Sequence, residues 1–94
     1  MKVGMVAYHY PHAEHREEFI ARLHQVVEFF RRTPGCLSAD CWVTADNDAV
    51  ISTVQWESEA AFGASFAAVR ASGLDLTYDE RESRPREIIR LVAA

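Results

Sequence analysis

The stretch TVQWES, Thr53 to Ser58, decides how this chain folds. Thr53, Val54 and Trp56 suit a pleated, half-buried surface. Ser58 followed by Glu59 is the chemistry of a helix start: a short hydroxyl that accepts from a first-turn N–H, then a carboxylate near the positive end of the helix dipole. A strand therefore hands over to a helix here, with an indole at the junction. Downstream, Phe62, Phe66 and Val69 recur at helical spacing and Gly73 stops the run. Upstream, Ala49 to Glu57 and Cys36 to Thr44 both read as strands, and Ala45-Asp46-Asn47-Asp48 between them is turn chemistry. Leu37, Ala39, Cys41 and Val43 alternate with Ser38, Asp40, Trp42 and Thr44, which completes a β-hairpin.

Further from the hairpin, Lys2 to Tyr10 mixes β-branched, aromatic and small residues, and Pro11 closes it as a first strand. From His12 to Arg32 the residues Phe19, Leu23, Val26 and Phe30 line one helix face, with Ile20 and Val27 widening the stripe. Glu14, Glu17 and Glu18 sit at the start and Arg31 and Arg32 at the end, as the dipole favours, before Thr33-Pro34-Gly35 ends the helix. Leu74 to Glu87 is polar and charge-dense, with one short helical turn expected around Leu76 to Asp79. Pro85 then introduces a last strand, Arg86 to Val92. The order β-α-β-β-α-β is the ferredoxin-like unit: an α+β fold with one antiparallel four-stranded sheet and two helices, in a single domain spanning 1–94. Two helices cover one face of such a sheet, yet both parities of these strands carry apolar residues. That pattern predicts a two-fold homodimer, sheet against sheet, with any ligand cavity between each subunit's own helices and sheet.

The 94 residues are 49% hydrophobic and 26% charged, which suits one globular core. The net charge of -4 argues against a nucleic-acid partner. No apolar run approaches the ~18 residues of a membrane span, and no secretory leader is evident, so a cytoplasmic address is expected. Cys36 and Cys41, the two cysteines, are an odd number of positions apart, which predicts side chains on opposite faces of one strand and two reduced thiols. No nucleophile elbow, phosphate loop, Cys-x-x-Cys pair or dinucleotide fingerprint is present, and no bound cofactor is expected.

TPGCLSADCW (Thr33 to Trp42), then the hairpin, then ISTVQWESEAAFGASF (Ile51 to Phe66) resembles the antibiotic biosynthesis monooxygenase superfamily. Its members are dimeric α+β barrels, several of which oxidise hydroxylated aromatics or quinols with molecular oxygen and no flavin, metal or haem. In the quinone-forming branch the tryptophan of the matching motif lines the pocket, an asparagine four residues earlier and a tyrosine six later assist the chemistry, and an arginine follows the second helix. The resemblance therefore implies Trp56 as a pocket residue. Ser52 stands in place of the asparagine, Phe62 in place of the tyrosine, and Arg70 is the nearest arginine. The haem-degrading branch needs a histidine on or after the second helix and an asparagine on the first strand. This chain has its four histidines at or before His24 and its first asparagine at Asn47.

Several side chains become candidates. Trp56 is either plain core or a stacking face for a flat substrate. His9 shares a parity with Val3, Met5 and Ala7, so it points inward. There it is either a satisfied buried histidine or a general base for a phenol. Ser52 offers a hydrogen bond, Phe62 and Phe66 would wall a pocket, and Tyr78 would reach over it as part of a lid. His9, His12 and His15 match no metal-ligand spacing signature, so no metal is expected. Tyr8 and Tyr10 share the other parity and are placed at the dimer interface. Asp79, Glu80 and Glu82, interleaved with Arg81, Arg84 and Arg86, read as a solvated surface. The leading expectation is a cofactor-independent monooxygenase acting on a flat phenolic or quinol molecule, with Trp56 and His9 at its centre. The alternatives are a non-catalytic dimer that binds a hydrophobic ligand, and an isomerase or lyase using His9 without oxygen.

Overall fold

The computed structural model describes residues 1–74 and 77–94. The strands are β1 (Val3–His9), β2 (Cys36–Val43), β3 (Val50–Trp56) and β4 (Glu87–Val92); the helices are α1 (Arg16–Arg32) and α2 (Glu59–Ser72). They follow the expected order and form one antiparallel sheet, β2-β3-β1-β4. α1 begins later than its sequence pattern suggests. A separate 3-10 turn, Ala13–His15, precedes it, because neither His12 nor His15 supplies a side-chain cap. The helical turn expected around Leu76 to Asp79 starts on a residue outside the described residues, and Thr77 to Asp79 carry no helix.

The strand–helix junction at Thr53 to Ser58 is built as its chemistry dictates. Ser58 Oγ accepts from the Ala61 N–H at 3.1 Å, and Gly73 at φ 76° closes α2. Gly35 has φ +84°, and a Cβ there would lie 2.5 Å from the Ala61 Cβ, so the turn after α1 and its approach to α2 both require glycine. In the hairpin loop, Thr44 Oγ1 accepts from the N–H groups of Asp48 and Ala49 at 2.9 Å, with Asn47 at φ 64°.

One register shift changes a sequence expectation. A bulge between Cys36 and Ser38 sets Cys36 opposite Trp56 and Cys41 opposite Ser52. Both thiols therefore share the helix-facing side, where burial raises the pKa of each, rather than opposite sides. Alternation alone does not anticipate an extra residue.

The predicted stripe of α1 is the core. Phe19, Leu23, Val26, Val27 and Phe30 are buried against Val3, Met5 and Ala7 of β1, Val50, Val54 and Trp56 of β3, Ala39 of β2 and Val69 of α2. The closest helix–sheet backbone contacts are to β2 and β3, and every residue of β4 is exposed. Among the described residues the sheet is thus open at its helix-side margin along β4 and over the opposite face. Among the described residues no helix is long and apolar enough to cross a membrane.

Candidate functional site

A cavity of about 100 Å³ lies at that helix-side margin. Met5, Ala7 and His9 of β1 and Ser52 of β3 form its floor; Leu23, Val26 and Phe30 of α1, with Phe66 and Val69 of α2, form its walls. Arg86 and the exposed Ile88 border it at the β4 edge. The pairing explains the floor: Ala7 sits opposite both Ser52 and Ile88, so all three project to the helix side along with His9. Larger hollows of about 480 and 560 Å³ lie outside α1, but no fully buried titratable group lines them.

His9 is 4% exposed, with its ring 5.3 Å from that of Phe19. Its Nδ1 faces Glu82 Oε1 at 3.6 Å, and both atoms are buried without a hydrogen-bond partner among the described residues. That distance is too long for a hydrogen bond. The other oxygen of Glu82 accepts from Arg86 Nη2. Burial, with the nearby Arg86 charge adding to it, pushes the His9 pKa down from 6.5 to about 4. The imidazole is therefore neutral at pH 7. With Nδ1 turned to Glu82, Nε2 is the ring nitrogen left for the cavity.

Glu82 corrects the reading of the Asp79–Arg86 run as solvated surface. Its side chain is fully buried, because the segment before β4 is tied to the end of β1. Pro11 and Glu82 form a β-bridge, His12 N–H donates to Arg81 O at 2.8 Å, and Ser83 N–H donates to Tyr10 O at 2.7 Å. Charge alternation gives no hint of this long-range pairing; a buried carboxylate then needs the partner that Arg86 provides. Tyr10 is also buried rather than placed at an outer face. Its hydroxyl donates to Glu87, and Arg84 lies 3.8 Å over its ring.

Trp56 does not line the cavity. It is fully buried, packs edge-on against Phe30 and Phe62 at 5.6 and 5.0 Å, and donates its indole N–H to Ser65 Oγ at 2.9 Å. Phe62 is held on the far side of the indole, under Arg90 at 3.5 Å. Of the sequence candidates, His9, Ser52 and Phe66 meet in the cavity, Trp56 and Phe62 stand behind its wall, and Tyr78 is exposed and outside its lining. Among the described residues no three of His, Cys, Asp and Glu gather closely enough to hold a metal ion.

The buried histidine makes stability depend on acid. Above pH 6.5 His9 is neutral folded and unfolded; between 6.5 and about 4 only the unfolded chain takes up its proton. The His9 contribution to stability is thus lost as pH falls through that window, by about 3 kcal/mol at pH 4. Denaturant titrations at pH 7 and pH 4 should show this loss in the native chain beyond that in His9→Gln. Equal losses in both would contradict it.

The family model described as antibiotic biosynthesis monooxygenase matches residues 2–69. No curated protein matches the chain in sequence. Among solved structures, Rv0793 from Mycobacterium tuberculosis superposes with TM-score 0.80 at 22% identity, covering 100% of this chain and 96% of that one. PA3566 from Pseudomonas aeruginosa gives 0.78 at 21%, covering 99% and 94%. A variant of SnoaB, a cofactor-independent oxygenase from Streptomyces nogalater, gives 0.75 at 20%, covering 98% and 92%. At these identities the likeness is one of fold.

Proposed function

The chain belongs to the antibiotic biosynthesis monooxygenase family, and we propose that it is a cofactor-independent monooxygenase oxidising a flat phenolic or quinol molecule with molecular oxygen. The observation that carries this reading is a neutral, buried imidazole bordering a cavity that is apolar apart from Ser52 and Arg86. An imidazole that is neutral at pH 7 and keeps a free acceptor nitrogen is available to take a phenolic proton, and its low pKa means that a countercharge must stabilise the imidazolium that forms. Ser52 stands beside it as a hydrogen-bonding group. The cavity is smaller than the ~150 Å³ that encloses benzene in an engineered core, so it suits one ring with an edge protruding past Ile88.

The chemistry balances without a bound redox group. His9 Nε2 takes the hydroxyl proton, and the electron-rich anion passes an electron to oxygen. Recombination forms a C–O bond at a ring carbon that carries hydrogen, and the resulting peroxide is protonated. Loss of water then breaks the O–O bond and leaves a carbonyl. A hydroquinone and O2 become a hydroxyquinone and water. Oxygen uptake by metal-stripped protein with single-ring quinols tests this: turnover above buffer, lost in His9→Gln, is expected. Equal rates with and without protein would overturn it.

The proposed enzyme is a homodimer joined through the face that carries no helix. That face presents Tyr8, Trp42, Ile51, Ile89 and Leu91, of which Trp42 is 59% exposed. Light scattering should give the mass of two chains, and the mass of one would contradict it. A second reading, a non-catalytic dimer that binds a small aromatic ligand, is favoured by one observation. Phe62 has no hydroxyl, and the Trp56 N–H is already spent on Ser65, so neither can assist at oxygen. Ligand binding without oxygen uptake would select it.

A further inference from the structure

We infer that Glu82, His9 and Arg86 form a charge-matched proton-transfer site that takes an acidic phenol or enol and holds it as its anion, with Glu82 as the positioning residue. This rests on the cavity being a ligand site and not on the oxygen chemistry. It goes further in assigning the ionised form of the ligand and a role to a carboxylate that the sequence places in a surface charge run.

Before transfer, among the described residues, the Glu82 carboxylate is paired with the Arg86 guanidinium, and His9 is neutral. When a bound hydroxyl gives up its proton, the O–H bond breaks, an N–H bond forms at His9 Nε2, and the electron pair stays on oxygen. Each product then meets an opposite charge already in place. The imidazolium faces Glu82 Oε1, 3.6 Å from Nδ1 and without a hydrogen-bond partner among the described residues. The oxyanion shares its cavity with Arg86. With the imidazole neutral, a gap of 3.6 Å separates it from the carboxylate, and apo catalytic hydrogen bonds are commonly long. An unpaired buried acceptor is costly, so its retention beside an imidazole is informative.

Among the described residues no other charged side chain lines the cavity. α1 contributes Leu23, Val26 and Phe30, α2 contributes Phe66 and Val69, and β3 contributes Ser52. On the adjoining segment, Glu87 and Arg84 are engaged with Tyr10. Glu82 also fixes the tautomer. A proton on Nδ1 is the one arrangement that gives the Glu82 oxygen a donor and leaves Nε2 free to accept. An opposite charge at this range shifts an acid by about 1–3 pH units toward its ionised form, and a buried site keeps that effect from being screened.

The test uses the full chain with labelled histidine nitrogens, without oxygen, titrated with 4-nitrophenol near pH 6, where absorbance reads the probe's ionisation and the nitrogen spectrum reads the ring. The free protein should show His9 protonated on Nδ1 alone. In the complex the ratio of anion to neutral probe should exceed that in solution by about tenfold or more, with both His9 nitrogens protonated. Glu82→Gln should bind the probe yet leave His9 neutral, and Glu82→Asp should recover part of the imidazolium. A free protein protonated on Nε2, a complex with neutral probe and neutral His9, absent binding, or an unchanged imidazolium in Glu82→Gln would each overturn the inference. If Glu82→Gln does not fold, the wild-type spectra still decide. Because oxygen is excluded, the two readings are tested separately: a neutral complex removes the anion site while oxygen uptake remains to be measured on its own, and failed oxygen uptake leaves the anion site standing.

Discussion

Replacing His9 with glutamine is expected to lower oxygen-dependent turnover about 10²–10⁴-fold, the range that a positioned general base contributes. Glutamine approximates the volume and stays neutral, so at pH 7, where the native imidazole is also neutral, the substitution removes basicity and little else. The loss should fall mainly on kcat, because proton transfer belongs to the transition state whereas ring burial against Phe30, Phe66 and Val69 does not change. An oxygen electrode with a single-ring quinol measures it. A variant within about threefold of the native rate would mean that the proton leaves by another route.

Truncating Trp56 to alanine should cost about 3–5 kcal/mol of stability, the range for deleting a large buried aromatic. Its indole is fully buried, wedged between Phe30 and Phe62, and close to Phe66. Truncation would empty the centre of this aromatic cluster and remove the donor that satisfies Ser65. Ser65 in turn bonds Thr33, whose hydroxyl donates to the last turn of α1 at Phe30 O, so the damage spreads to the helix–helix junction. Against a total of about 5–15 kcal/mol for a domain, such a loss leaves a marginal fold. Denaturant unfolding at pH 7 checks the size. A loss below about 1 kcal/mol would show that the indole is not the structural centre described. Trp56→Phe, which keeps most of the ring volume, should fold.

The elements were legible because their signals are local. The Phe19–Phe30 stripe, the Ser58 cap, the Pro34-Gly35 stop and the Asp46-Asn47-Asp48 turn each act within a few residues, and each appears where its chemistry predicts. The parity of β1 likewise brought His9 inward beside Ala7 and Met5. What escaped depends on contacts between distant parts of the chain. Glu82 looks like one more charge in a polar segment until its bridge to Pro11 carries it beneath the protein surface. The helix-facing side of Trp56 was readable from alternation. Its distance from the cavity was not, because that follows from how α2 lies over β2 and β3 and leaves the β1–β4 margin open. The bulge at Leu37, which moved Cys36 to the other face, leaves no mark in the alternating pattern.

The proposed chemistry resides in the His9 cavity, and the indole supports it from behind. Oxygen uptake measured for folded His9→Gln and Trp56→Phe side by side, with metal-stripped protein at pH 7, separates the two roles. Trp56→Phe is expected to stay within about threefold of the native rate while His9→Gln falls at least about a hundredfold. A Trp56→Phe protein that folds but loses turnover, beside a His9→Gln protein that keeps it, would place the chemistry at the indole instead.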